Sequence, residues 1–243
     1  MKYLSGSSGL MTLVCASLML VLQGCASTPL PSSTAQVNDP IEGFNRTMFD
    51  FNEKVDENVL KPVATGYNNV VPSPAKTGVT NFHNNFEDAW SAVNSLFQLK
   101  FEHAASNTMR VLVNSTIGFG GLLDWGSAMR LQRYNEDFGQ TLGYWGVGEG
   151  AYVVWPLLGP STVRDSAALP ADLMAGPGLV IESTAISISQ SALNVVNTRA
   201  NLLDSTALLD DIVLDKYIFV RDGFLQRRRS QIYDGNPPNA PKK

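Results

Sequence analysis

Apolar residues recur along much of this chain with a helical period. Phe44, Met48, Phe51, Val55 and Val59 fall at steps of three and four, which gathers them on one face, while Arg46, Asp50, Glu53, Lys54 and Glu57 lie off it. The domain therefore begins near Asp39 with an amphipathic helix. Pro74 fits the first turn of a second helix capped by Ser73. Phe86, Trp90, Val93 and Phe97 repeat the pattern through Leu99, and a further helix is predicted over residues 104–113, ending before Asn114-Ser115. After Gly178 a long helix follows: Ile181, Ala185, Ile188, Ala192, Val195 and Val196 track one face, and Ser, Thr, Gln and Asn fill much of the rest. Glu182 is its only charge before Thr198, so this helix belongs in a core or along a passage of intermediate polarity. Helical patterning continues over residues 202–233.

The centre breaks the pattern. Gly118, Gly120 and Gly121, then Gly139, Gly143, Gly146, Gly148 and Gly150, are interleaved with Phe119, Trp125, Phe138, Tyr144, Trp145, Tyr152 and Trp155. These glycines read as backbone hinges in a flexible, apolar segment. Residues 151–155 have the composition of a short strand stopped by a turn over Pro156 to Pro160, and Ser161 fits the N-cap of a short helix through Arg164-Asp165.

The amino terminus changes the picture from fold to location. Lys2, the apolar run from Leu10 to Leu22, and Leu22-Gln23-Gly24-Cys25 form a bacterial lipoprotein signal cleaved between Gly24 and Cys25. The run is too short to span a bilayer comfortably. Residues 1–24 are assigned as signal peptide, 25–38 as a Ser/Thr/Pro-rich tether carrying lipid on Cys25, 39–234 as one helical domain and 235–243 as a flexible tail. Acyl chains contribute about 0.8 kcal/mol per buried CH₂, so several together make a stable anchor. Ala26 and Ser27 leave no aspartate where inner-membrane retention is commonly signalled, which favours the outer membrane; the alternative is an ordinary secretory signal with an incidental cysteine.

The formal net charge is −4, and loss of Lys2 makes the mature chain more negative, so no global basic field recruits nucleic acid. The chain has two cysteines; Cys15 falls in the signal and Cys25 carries lipid, which leaves no disulfide for the mature domain.

Candidate chemistry is sparse. His83 and His103 belong to no ligand motif and read as half-buried helix residues. There is no Gly-x-Ser-x-Gly elbow, so a hydrolase would have to recruit Ser115, Ser161 or Ser183 without a sequence-defined base. Gly146-Val147-Gly148-Glu149-Gly150 lacks the spacing of a nucleotide loop. Glu136-Asp137, Asp172 and Asp210-Asp211 show no calcium-loop spacing, so no metal or cofactor is expected beyond the covalent lipid. Arg227, Arg228 and Arg229 fit a solvated stripe, an anionic-lipid contact or a docking patch for an acidic partner. Trp125, Tyr144, Trp145, Tyr152 and Trp155 suit a membrane interface.

Ordered segments across residues 39–233 carry a resemblance. Asp39-Pro40-Ile41-Glu42-Gly43-Phe44-Asn45-Arg46, Lys61-Pro62-Val63-Ala64, Asn81-Phe82, Val113-Asn114-Ser115-Thr116, Asp137-Phe138-Gly139-Gln140-Thr141-Leu142-Gly143, Gly146-Val147-Gly148, Pro156-Leu157-Leu158-Gly159-Pro160-Ser161, Arg164-Asp165, Thr198-Arg199-Ala200 and Leu202-Leu203-Asp204 are similar to the MlaA (VacJ) family of outer-membrane lipoproteins. Ala151, where the family often has proline, and Ser166, where glycine commonly follows Arg-Asp, depart from it. The resemblance implies an all-α fold: a ring of helices in the inner leaflet of the outer membrane, with a central amphipathic channel and minor β structure in the glycine-rich loop. It also implies a non-enzymatic role. Phospholipid misplaced in the outer leaflet would pass through the ring to a periplasmic carrier and on to an inner-membrane ATP-driven complex, beside an outer-membrane porin trimer. The gating loop maps to residues 137–156, with Gly139, Gly143, Gly146, Gly148 and Gly150 in it and Gly146 and Gly148 as hinges. The rival readings are a phospholipid hydrolase and a structural, porin-bracing lipoprotein.

Overall fold

A computed structural model of the chain describes residues 39–176, 184–210 and 213–238, without the side chains of 184 and 207–210. Gly24 and Cys25 lie outside the described residues. The amphipathic start forms helix α1 (Glu42–Val55), which passes through one π-helical turn (Asp56–Leu60) straight into α2 (Lys61–Val70). Helix α3 runs unbroken over Ser73–Phe97, so the two predicted pieces are one element. Its cap differs from expectation: Pro72 takes the extended N-cap position, and Ser73 is the first helical residue with no side-chain cap bond. Pro74 still falls in the first turn, where its missing N–H costs nothing. Leu99, at φ 59°, turns the chain into α4 (Phe101–Thr116), which lies against α3.

Three short elements follow, α5 (Trp125–Ala128), α6 (Phe138–Tyr144) and a hairpin. Asp124 and Asp137 cap the two helices by accepting from Ser127 N and Gln140 N. Strands β1 (Tyr152–Trp155) and β2 (Gly159–Thr162) pair antiparallel, with Tyr152 opposite Thr162 and Trp155 opposite Gly159. Helix α7 (Val163–Met174) is capped by Thr162, not Ser161; the Ser161 hydroxyl lies 3.1 Å from that of Ser166 instead. Helices α8 (Thr184–Asp210) and α9 (Lys216–Ile232) complete the domain, α8 against α2 and α3, α9 against α6 and β2. The architecture is mostly helical with a single two-stranded sheet among the described residues.

One ordinary apolar core is present among the described residues. Phe49, Tyr152, Val154 and Tyr217 are buried together, with Met48, Val220, Phe224 and Leu225 packed around them. Phe49 and Tyr217 meet edge to face at 5.7 Å. Helix α1 is held to the hairpin by two asparagines seven residues apart, one face of two helical turns. Asn45 donates to Tyr152 O at 2.9 Å and accepts from Val154 N at 2.8 Å; Asn52 donates to Trp155 O at 2.9 Å and accepts from Leu157 N at 2.7 Å. Their side-chain amides thus replace a neighbouring strand along the free edge of β1.

Candidate functional site

The long helices carry polarity on the inside. On α3 the residues turned inward are Asp88, Ser91, Asn94 and Ser95, continued by Gln98 at its C-cap, and on α4 they are Asn107, Arg110 and Asn114. Each set repeats at helical spacing, opposite the apolar stripe. Val93, Leu96, Phe97, Phe101, Met109 and Leu112 face outward, Phe101 at 66% exposure and Leu112 at 53%. Helix α1 is mixed: Phe44 and Phe51 are exposed and Asn45 is completely buried, while Met48 packs against the aromatic core and Phe49 is buried in it. On α8 Ile188 and Val195 are exposed and Asn197 is buried, donating to Thr80 at 2.8 Å; Ile181 lies outside the described residues. Periodicity locates an amphipathic helix but does not say which face the tertiary structure buries.

Such an interior is stable only if its polar groups are satisfied. Arg110, at 2% exposure, reaches Asp88 at 3.0 Å, Asp124 at 3.1 Å, the Ser127 hydroxyl at 3.1 Å and Leu131 O at 3.0 Å. Arg133 closes on the other oxygen of Asp88 at 2.5 Å. Further along, Glu136 is held by Lys100 at 3.0 Å and Gln98 at 2.9 Å, and Thr141 donates to Asn94 at 2.8 Å.

A second clasp joins α6, α7 and α9. The Arg228 guanidinium grips both oxygens of Asp137 and reaches Asp165 at 2.8 Å. Burial pushes the Asp137 carboxyl upward, but the bonds and charge of Arg228 outweigh it and hold the group below the usual carboxylate range. Asp172 goes the other way: burial raises it, although it accepts from Trp90 and Phe138 N at 2.8 Å each. The three consecutive arginines are not one patch. Arg228 is buried in the clasp, Arg229 donates to Pro238 O at 3.0 Å, and Arg227 lines an open polar groove of about 580 Å³.

The glycines divide by physical role. Gly139 and Gly143 sit inside α6, where a Cβ would meet Asp165 Oδ1 at 2.6 Å and Ile232 Cδ1 at 2.8 Å respectively. They permit close approach. Gly146 (φ 89°) and Gly148 have open space around them, and Gly150 (φ 70°) lies against Val163. Of the five aromatic residues assigned to a membrane interface, Trp125, Tyr144, Trp145 and Trp155 are exposed. Tyr152 is instead 1% exposed in the aromatic core, because β1 turns it toward Tyr217 and Phe224.

Catalytic and metal candidates find other partners. Ser115 accepts from Asn85 at 3.0 Å, Ser161 neighbours Ser166, and Ser183 lies outside the described residues. His83 Nδ1 donates to Val79 O at 3.0 Å, while His103 stacks on Tyr134 at 3.6 Å. Among the described residues His103, Glu136 and Asp234 converge as a cation site would, but the Lys100 ammonium already lies 3.0 Å from Glu136 and 2.7 Å from Asp234. The Asp210 side chain and Asp211 lie outside the described residues.

These features define a class: a helical domain with charged side chains within and apolar side chains without, in which no described helix is long and apolar enough to cross a membrane. The family model described as MlaA lipoprotein matches residues 37–231, and the chain belongs to that family. It is 39% identical to proteins of Shigella flexneri and Escherichia coli K12, each named intermembrane phospholipid transport system lipoprotein MlaA, over 85% of this chain and 82% of theirs. A Haemophilus influenzae protein of the same name is 31% identical over 89% and 88%. A solved structure described as "Structural basis for maintenance of bacterial outer membrane lipid asymmetry" superposes with a TM-score of 0.70 at 39% identity, covering 82% of this chain and 99% of that one.

Proposed function

We infer that this chain is an outer-membrane lipoprotein of an intermembrane phospholipid transport system, which removes mislocalised phospholipid from the outer leaflet and passes it to a periplasmic carrier. The carrying observation is the inverted polarity of α3 and α4, with Arg110 and Asp88 buried while Phe101, Met109 and Leu112 face outward. A surface of that kind suits hydrocarbon rather than water. In this reading the apolar faces lie in the inner leaflet, exposed Trp125, Trp145 and Trp155 sit at headgroup depth, and lipid on Cys25 holds the domain at its membrane beside a porin trimer.

Moving a phospholipid between leaflets costs chiefly the desolvation of its charged headgroup. A ring of helices enclosing a polar passage lowers that cost with no covalent step and no nucleotide. The segment 137–156 supplies the gate, with Gly146 and Gly148, the loop glycines without packing constraint, as its hinges. In cells lacking this protein, outer-leaflet phospholipid is expected to rise and to fall again when the intact chain is restored. Unchanged asymmetry would overturn the reading. Incubation with labelled phospholipid is expected to return intact lipid, whereas released fatty acid would establish the hydrolase instead.

A further inference from the structure

A cavity of about 270 Å³ lies where α1, the π turn, α8 and α9 approach one another. Phe49, Phe219 and Val220 give it an apolar floor, and its rim carries both signs of charge. Two rim pairs are closed: Arg199 holds Asp56 through two bonds of 2.7 Å, and Lys216 lies 3.5 Å from Glu53. Glu57 and Lys61 line the same rim and have no ion-pair partner among the described residues. Their spacing of four is the one at which Glu and Lys pair on an α-helix. The π turn over Asp56–Leu60 replaces that register, and the pair is not made. Turns of this type concentrate at functional sites.

One acid and one base left open around an apolar hollow match a ligand that carries both charges and an apolar body. We propose that this cavity receives the zwitterionic phosphoethanolamine headgroup of a phospholipid, its phosphate on Lys61, its ammonium on Glu57, and its glycerol end over Phe49 and Phe219. An ammonium donates charge-assisted hydrogen bonds to a carboxylate, which a quaternary choline does not. An anionic headgroup without a cation leaves Glu57 facing like charge. The assignment rests on the transport reading given above.

The test loads the purified full-length protein from vesicles containing equal parts of phosphatidylethanolamine, phosphatidylglycerol and phosphatidylcholine with matched acyl chains, and counts captured lipid by native mass spectrometry. Phosphatidylethanolamine is expected to exceed phosphatidylglycerol by about threefold, the scale of a partly exposed ion pair. Glu57→Gln is expected to abolish that preference without lowering phosphatidylglycerol, and Lys61→Gln to lower both. Both side chains are exposed, so melting temperatures are expected to stay put. Equal capture of all three lipids by the unaltered protein, or an unchanged ratio in Glu57→Gln, overturns the headgroup assignment alone. Capture of no phospholipid overturns the transport reading, and the assignment with it.

Discussion

Two interiors coexist in this domain, and they are stabilised by opposite means. Between α1, β1 and α9, aromatic rings exclude water in the ordinary way. Between α3 and α4, an arginine nearly without exposure is held by two carboxylates, a hydroxyl and a carbonyl. The first loses stability in proportion to apolar area removed. The second depends on complete pairing, because a buried charge without its partner is far more costly than the pair was favourable. In the proposed membrane setting the inversion has a physical reason: helices whose apolar faces meet hydrocarbon place their polar groups inward.

Breaking the charged interior gives the largest effect. Arg110→Met leaves Asp88 buried with Arg133 alone and Asp124 with only Ser127 and Asn114, and a loss of about 3–5 kcal/mol in unfolding free energy is expected. Asn45→Ala comes next, since it strips partners from Tyr152 O and Val154 N inside the aromatic region; about 2–4 kcal/mol is expected from two buried unpaired groups. Asn52→Ala, the same device in an exposed position, separates burial from hydrogen bonding and should cost about 1 kcal/mol. Gly139→Ala forces Arg228 and Asp165 to move and should cost about 1–3 kcal/mol, whereas Gly148→Ala should fall within about 0.5 kcal/mol. If both glycine variants melt together, the packing role assigned to Gly139 is wrong.

The Arg228 clasp and the aromatic core should also fail at opposite ends of the pH scale. Asp137 is held below its ordinary value, so its contribution is present above about pH 4 and is lost as pH falls through the folded-state value. Asp172, raised by burial, opposes this and favours the folded state at low pH. In the aromatic core, burial first and then the Asp39 charge push the Tyr152 hydroxyl up to about 12. Relative to the unfolded chain, stability is therefore independent of this group below about pH 10 and falls as pH rises from there toward the folded value, because ionising the hydroxyl is penalised only in the folded state. Stability profiles of Asp137→Asn and Tyr152→Phe should each flatten one limb, acid and alkaline respectively. The smallest effect is that of Tyr152→Phe at neutral pH. The hydroxyl is buried without a partner, so removing it should leave stability unchanged or raise it by up to about 1 kcal/mol.

Local chemistry was legible where it depended on neighbours in sequence. The amphipathic helices and the strand expected over residues 151–155 follow from period and punctuation, whereas the turn expected over Pro156 to Pro160 is shorter, because Gly159 and Pro160 already pair with β1 as part of β2. Caps were read less well: Pro72 and Thr162 displaced Ser73 and Ser161 by one residue each, because a cap is fixed by the extended backbone of one position and not by residue type alone. Asn45, Asn52, Asp88 and Arg110 were missed, although Asn and Asp recurring at helical spacing opposite an apolar stripe were a usable signal.

By itself the sequence determined where most of the helices form and which family its motifs match. Only the tertiary structure decided the side each helix turns inward, which glycines are packed and which are free, and that Arg228 and Asp137, 91 residues apart, form one clasp. The physical reason is that helical periodicity is a property of the chain, while the choice of face depends on the surrounding solvent. Here α3 and α4 bury Asp88 and Arg110 and expose Phe97, Phe101 and Leu112, the reverse of the choice that water would make.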